Sequence, residues 1–311
     1  MPNSASSISS NISKWLGLIR FSHTIFALPF AILASVMAYA SPMPSGQRLS
    51  VSIWAILGVL SCMIFARSAA MAFNRLVDRH IDGKNPRTAM RHLPAGEISV
   101  SGARWFTAAC SVGFILCTLL FLPNWLPLLF SVPILCFLCG YSLAKRFTYA
   151  AHAWLGIALS LSPLCVWMAI RGPASAMVWN DWWPPLVLAL GIAAWVTGFD
   201  IIYACQDAEY DAGEGLHSVP AKFGISGALR LAMVSHCIML VAMFALPFVS
   251  PLLDLGGIYL SGMVVVAIMV IRQHFLVSPT DLGRVNEAFF NANAWISVIV
   301  LATGSLDTVY R

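Results

Sequence analysis

The sequence predicts an all-α, polytopic membrane protein with nine transmembrane helices. Three observations carry that expectation: the composition, the lengths of the apolar runs and the alternation of basic loops. Of 311 residues, 59% are hydrophobic and only 10% charged, against about 25% charged in soluble chains. Mean hydropathy is +0.81. So few charges cannot cover a water-facing surface, so most of the exterior must face lipid, which excludes an ordinary soluble enzyme. A span needs roughly 20 mainly apolar residues, and runs of that kind occupy 22–40, 50–72, 103–122, 125–143, 150–170, 184–199, 226–249, 254–271 and 288–306.

The Ser-rich first twenty residues read as a disordered start. Ala38-Tyr39-Ala40 resembles a signal-peptidase site, but the apolar run before it exceeds the 7 to 15 residues of a cleaved signal core, and an uncleaved first helix is expected. The second run leads into a polar stretch, 73–99, in which Asn74, Asp78 and Asp82 stand four apart; if the helix continues through them they share one face. In the fourth run Cys136 and Cys139 have redox spacing without a flanking polar site, which points to apolar packing. No disulfide framework is implied, and no histidine stands at zinc spacing from Cys or Glu. The sixth run reaches membrane length only if it continues through Asp200 to Ala208, which puts carboxylates on a helix end. A second polar stretch, 200–222, precedes the last three runs.

Lys and Arg set the orientation, because cytoplasmic loops carry the excess of them. Alternate loops hold fifteen of the 18 bases, and the other side holds only Arg48, Arg171 and Arg311. That split predicts a cytoplasmic N-terminus and, with an odd number of spans, an external C-terminus.

The acids are distributed just as unevenly. Eight of 13 (Asp78, Asp82, Glu97, Asp200, Asp207, Glu209, Asp211 and Glu214) fall in the two polar, cytoplasm-facing stretches. Tyr203, Asp207 and Asp211 repeat the four-residue step of Asn74, Asp78 and Asp82. Carboxylates stacked on one helix face repel one another unless a cation lies between them. Magnesium fits: it takes hard oxygens, keeps waters, and is usually held by one or two carboxylates plus substrate phosphates. Arg79, Lys84, Arg87, Arg91, Lys145 and Arg146 could engage the anionic oxygens that a metal leaves free. The combination reads as a diphosphate site.

The stretch from Asn74 through Asp78, Arg79, Asp82, Asn85, Arg87, Thr88, Arg91 and Pro94 to Gly96 resembles the first aspartate-rich motif of the UbiA superfamily of intramembrane prenyltransferases. Asp200, Tyr203, Asp207 and Asp211 match its second motif, D-x-x-Y-x-x-x-D-x-x-x-D. The likeness extends to the Tyr141–Thr148 segment and to Gly215-Leu216-His217-Ser218, over nearly the whole chain. Within the superfamily the chain is most similar to 4-hydroxybenzoate polyprenyltransferases and to the menaquinone prenyltransferases of the futalosine route. It departs from many members at Arg75, where they carry Asp after the Asn.

The resemblance implies a single transmembrane prenyltransferase domain over 1–311, its helices bundled around a central lipid-accessible cavity. It implies an inner-membrane enzyme, with its site facing the cytoplasm, that moves a polyprenyl group from its diphosphate to a small aromatic acid and contacts lipid but no nucleic acid. The implied metal is Mg2+, held by Asn74, Asp78, Asp82, Asp207 and Asp211, with Arg79, Arg87, Arg91, Lys145 and Arg146 on the diphosphate. Tyr203, Tyr141, Phe199 or Phe73 could face the developing allylic cation. Asp200 is the candidate for the acceptor hydroxyl or ring proton, and Arg67 for its carboxylate. The acceptor expected first is 4-hydroxybenzoate, for ubiquinone; 1,4-dihydroxy-6-naphthoate, for menaquinone, is the alternative, and haem or a chlorophyll precursor a more distant one. A different class, an ion-coupled transporter, also gathers Asp in membrane helices, but at the bilayer midplane rather than at helix ends beside a basic ring.

A reporter fused after the last residue is expected to register outside the cytoplasm; a cytoplasmic signal there overturns the nine-span arrangement.

Overall fold

A computed structural model describes residues 13–19, 28–250, 253 and 255–310. Among them no β-strand occurs beyond an isolated bridge between Ser278 and Asp281. The helices run in order α1 (Leu28–Ala40), α2 (Ile53–Lys84), α3 (Val100–Cys117), α4 (Leu126–Ala144), α5 (Ala151–Ala176), α6 (Trp183–Ala204), α7 (Ala208–Gly213), α8 (Val219–Ala245), α9 (Gly257–Phe275) and α10 (Ala292–Tyr310). Eight helical segments are long and apolar enough to cross a membrane, and α1 is a ninth, shorter apolar helix. Residues 22–27 of the first expected span lie outside the described residues.

Two elements extend as their spacing anticipates. Helix α2 runs unbroken for 32 residues, from a Ser52 cap through Asn74, Asp78 and Asp82 to Lys84. Helix α6 continues past Asp200, then tightens into a 3-10 turn at Cys205–Asp207 before α7 carries Asp211. Helix α5 breaks at Gly172, whose φ of 72° lies in the left-handed region open to glycine, one residue before Pro173.

The disordered start expected for the first twenty residues is corrected at 13–19. Residues 13–18 are helical, Leu18 and Ile19 are buried with Leu76, Leu93 and Ile98, and Trp15 stacks on Phe106 at 4.9 Å. An apolar cluster outweighs the Ser-rich composition around it. Residues 1–12 and Arg20 lie outside the described residues.

Helix α6 is the centre of the bundle, packed chiefly on α5 and α8, while α2 pairs with α3 and α9 with α10. The close crossing of α5 and α6 depends on Gly156: a Cβ there would collide with Ala193 O and Thr197 Oγ1. No larger residue fits that crossing without separating the helices.

At the end of the bundle away from the acidic stripes, the ion pair of Arg171 and Asp181 ties three elements together. Arg171 Nε and Nη2 donate to Asp181 at 2.8 and 2.6 Å, while Nη1 and Nη2 also donate to the carbonyls of Ala38, Ser41 and Pro42. Trp167 Nε1 and Ser175 Oγ donate to the same carboxylate. All five guanidinium N–H groups are thus used. Arg171, one of the three bases on the base-poor side of the sequence count, has a fully buried side chain that serves this pair.

Arg171→Leu or Asp181→Asn leaves one member of a buried pair alone and is expected to cost about 3–5 kcal/mol, read as a lowered melting temperature in detergent. Unchanged melting would contradict the assignment.

Candidate active site

The two aspartate stripes meet at the mouth of one cavity of about 420 Å³, lined by α2 to α7 and by Phe289. Asn74, Arg75, Asp78 and Asp82 enter from α2; Asp200, Tyr203, Asp207 and Asp211 from α6 and α7; Lys145 and Arg146 from the end of α4. Beyond them the walls become apolar, with Val59, Met63, Ala66, Leu155, Leu159 and Val196 among them. Val59 and Asp78 are nineteen residues apart on α2, about 28 Å of helix, so the polar mouth leads into a long apolar trough.

Each carboxylate of the stripes has a cation. Arg146 Nη2 donates to Asp78 Oδ1 at 3.1 Å, and Asn74 Nδ2 to Asp78 Oδ2 at 2.8 Å. Arg91 Nη1 donates to Asp82 Oδ1 at 2.6 Å, with Arg75 3.7 Å from Asp82 Oδ2. Lys145 Nζ lies 3.4 Å from Asp211 Oδ2. Arg87 grips Asp207 with two nitrogens, Nε to Oδ1 at 2.8 Å and Nη2 to Oδ2, and donates from Nη1 to the Tyr203 hydroxyl at 2.9 Å. Burial works against the charge on Arg87, but these bonds to Asp207 and Tyr203 outweigh it and its pKa is raised.

The loop that presents Arg87 is built by Asn85. Its Oδ1 accepts from Arg87 N at 2.9 Å, a local turn that Asn favours, while Nδ2 donates across the mouth to Asp207 Oδ1 at 3.0 Å. Thr88 Oγ1 donates to Asp82 O, and Tyr210 Oη to Ile81 O at 2.7 Å. The first motif's loop and the second motif's helix therefore hold each other.

Several expected residues find other surroundings. Arg79 does not line the cavity; its Nη1 donates to Leu76 O at 2.7 Å. Phe73 is also absent from the walls, whereas Tyr141, Phe199 and Tyr203 are present. Arg75, where a carboxylate was missing from the motif, is buried beside Asp82. Arg67 lines the cavity two turns deeper than Asn74, and its Nε is buried without a hydrogen-bond partner. Buried Asp82 Oδ2 likewise accepts no hydrogen bond. Lys84 pairs with Glu214 at 2.7 Å, at the surface.

Two residues of the site have no sequence signal. Phe289 lies on a π-helical turn, Glu287–Asn291, that bulges the start of the last span, and its ring meets Tyr203 at 4.3 Å and Phe199 at 5.4 Å. His152, buried at the start of α5, bonds Asp200 at 2.6 Å. The four-residue step that marks the Asp stripes says nothing about partners reached through space.

Residues 27–297 match the UbiA prenyltransferase family, most of the chain's length. The chain belongs to the UbiA prenyltransferase family. Among curated relatives, the 4-hydroxybenzoate octaprenyltransferase of Nitrosomonas europaea is 33% identical over 254 residues, 80% of each chain. The enzyme of the same name from Xanthomonas oryzae pv. oryzae is 29% identical over 250 residues, 80% of this chain and 78% of its own. Among solved structures, the apo UbiA homologue from Aeropyrum pernix K1 superposes with a TM-score of 0.78 at 29% identity, covering 91% of this chain and 96% of that one. The UbiA membership removes the transporter reading and leaves a multi-pass membrane prenyltransferase.

Proposed function

We propose that this UbiA family member transfers a polyprenyl group from its diphosphate to a small aromatic acid, 4-hydroxybenzoate first, at the cytoplasmic face of the cell membrane. The observation that carries the reading is the pairing of four stripe carboxylates with four bases at the entrance to an apolar trough. The names of the curated relatives support the choice of acceptor.

Among the described residues no three His, Cys, Asp or Glu side chains converge to cage an ion alone. The donors form two banks instead, Asn74, Asp78 and Asp82 on one side and Asp207 and Asp211 on the other, all hard oxygens, with Asp82 Oδ2 accepting no hydrogen bond and only Arg75 near it at 3.7 Å. That suits magnesium, which takes one or two carboxylates and completes its shell with phosphate oxygens and water. Bound there, magnesium would supply the charge that makes the diphosphate a better leaving group.

The protein's own groups do the rest. Arg87, Arg91, Lys145 and Arg146 exchange their carboxylates for diphosphate oxygens, Arg able to bind two at once. As the allylic carbon to oxygen bond breaks, its electron pair leaves with the diphosphate. Positive charge then develops beside Tyr203, Phe289 and Phe199, whose ring faces stabilise it by about 1–2 kcal/mol each in a desolvated site. The apolar walls keep water from capturing that cation. A ring carbon beside the phenol forms the new carbon–carbon bond, and the displaced ring proton passes toward Asp200. Arg67, with its unsatisfied buried Nε, suits the acceptor carboxylate.

Asp78→Ala and Asp207→Ala are each expected to lower kcat by about 100-fold or more in a protein that still inserts and folds. Arg87→Lys keeps the charge but loses the two-pronged grip, and is expected to raise KM for the diphosphate about tenfold. The decisive assay incubates purified protein with magnesium, a polyprenyl diphosphate and 4-hydroxybenzoate or 1,4-dihydroxy-6-naphthoate, then weighs the product. Prenylated 4-hydroxybenzoate supports the reading; a naphthoate product alone moves the acceptor; no product with either sinks it.

A further inference from the structure

His152 is only 1% exposed, yet it touches the one carboxylate in the cavity wall that has no cation. Its two ring nitrogens have different partners. Nε2 receives the backbone N–H of Val219 at 3.4 Å, and Nδ1 lies 2.6 Å from Asp200 Oδ2. Val219 is the first residue of α8, behind a Ser218 cap whose Oγ serves Ala221 N instead. The Val219 N–H is thus one of the orphan donors at a helix N-terminus, and it needs an acceptor. An imidazole with a lone pair on Nε2 provides one, and that contact assigns the ring proton to Nδ1, facing Asp200.

The placement follows from packing. Gly156 lies one turn beyond His152 on α5, and Thr197 almost one turn before Asp200 on α6; the contact that Gly156 permits with Thr197 and Ala193 brings the two polar residues together. Asp200 Oδ2 is then occupied, while Oδ1 has no partner among the described residues and the residue lines the cavity.

We propose that His152 is a positioning residue for the acceptor: its Nδ1–H fixes Asp200 with Oδ1 turned to the acceptor hydroxyl. This rests on the role given to Asp200 above. A neutral donor suits the task better than a base would. It orients the carboxylate without adding positive charge beside a developing cation. Arg or Lys at that position would neutralise Asp200, and an apolar residue would leave Oδ2 unpaired and the carboxylate free to rotate.

The side-chain amide of Asn overlays Nδ1 of histidine, and that of Gln overlays Nε2, which separates the two bonds. His152→Ala is expected to lower kcat about 10- to 100-fold, with KM for polyprenyl diphosphate unchanged. His152→Asn is expected to recover most of that loss, because it restores the donor to Asp200. His152→Gln is expected to stay low, because it restores only the acceptor for Val219. Recovery by Gln and not by Asn, or equal loss in Ala and Asn, overturns the proposal in favour of a helix-capping role. Nitrogen-15 histidine NMR of the wild-type protein in nanodiscs, with His152→Ala for assignment, is expected to show an imidazole protonated at Nδ1 only; a proton on Nε2 also overturns it. If the wild type prenylates no arylcarboxylate, the functional reading fails while the NMR still decides the His152–Asp200 bond.

Discussion

Carboxylates can crowd the entrance of an apolar cavity only if most of them are neutralised, and that requirement shapes one end of this protein. Four aspartates face four bases there, and three of the four pairs join residues distant in sequence, while Arg91 reaches Asp82 from the loop directly after α2. Arg87 to Asp207 spans 120 residues and is the principal tie between the two motifs, because Asn85 shapes the loop that presents the arginine and binds the same aspartate. Removing one partner would leave a charge at the edge of a low-dielectric trough, and such a loss costs more than the pair itself contributes.

The same pairing explains how an anionic substrate could enter without remodelling the bundle. If a diphosphate and a magnesium ion bound at this mouth, the bases could pair with phosphate oxygens and the carboxylates with the ion, so neither set would be left bare. The side chains of Arg87, Arg91, Lys145 and Arg146 are partly exposed rather than sealed among the packed helices. Arg67 Nε and Asp82 Oδ2 are buried without a hydrogen bond, and both residues line the cavity.

Composition and loop charge revealed the helical spans because lipid imposes one rule on every segment, and the repeated four-residue step revealed both stripes because helix geometry converts spacing directly into a shared face. Asn74, Asp78, Asp82, Asp207 and Asp211 were legible for that reason. Arg79 shows the limit. It stands one residue from Asp78 in the motif, about 100° around the helix, so the same periodicity that aims Asp78 at the cavity turns Arg79 away. His152 and Phe289 were illegible on different grounds. The first meets Asp200 through a helix crossing that Gly156 permits, and the second lines the cavity from a π turn whose extra residue rotates the chain; neither leaves a pattern in one dimension. The short helix at 13–18 was hidden by its Ser-rich neighbours, because burial of Leu18 and Ile19 requires a partner surface that the sequence does not display.

Arginine–aspartate pairs occur at both ends of the bundle, and their differences separate a structural pair from a functional one. At the end away from the aspartate stripes, the side chains of Arg171 and Asp181 are 0% and 3% exposed, and every guanidinium N–H has an acceptor within the protein. Nothing could replace either partner without breaking the link between α1 and α5. At the striped end, the side chains of Arg87 and Asp207 are 30% and 11% exposed, and they border a cavity. The chemistry is the same bidentate grip, so residue type alone could not distinguish them. Access does: a pair sealed on all sides can only hold the fold, whereas a pair open to a cavity can exchange one partner for a ligand of the same charge.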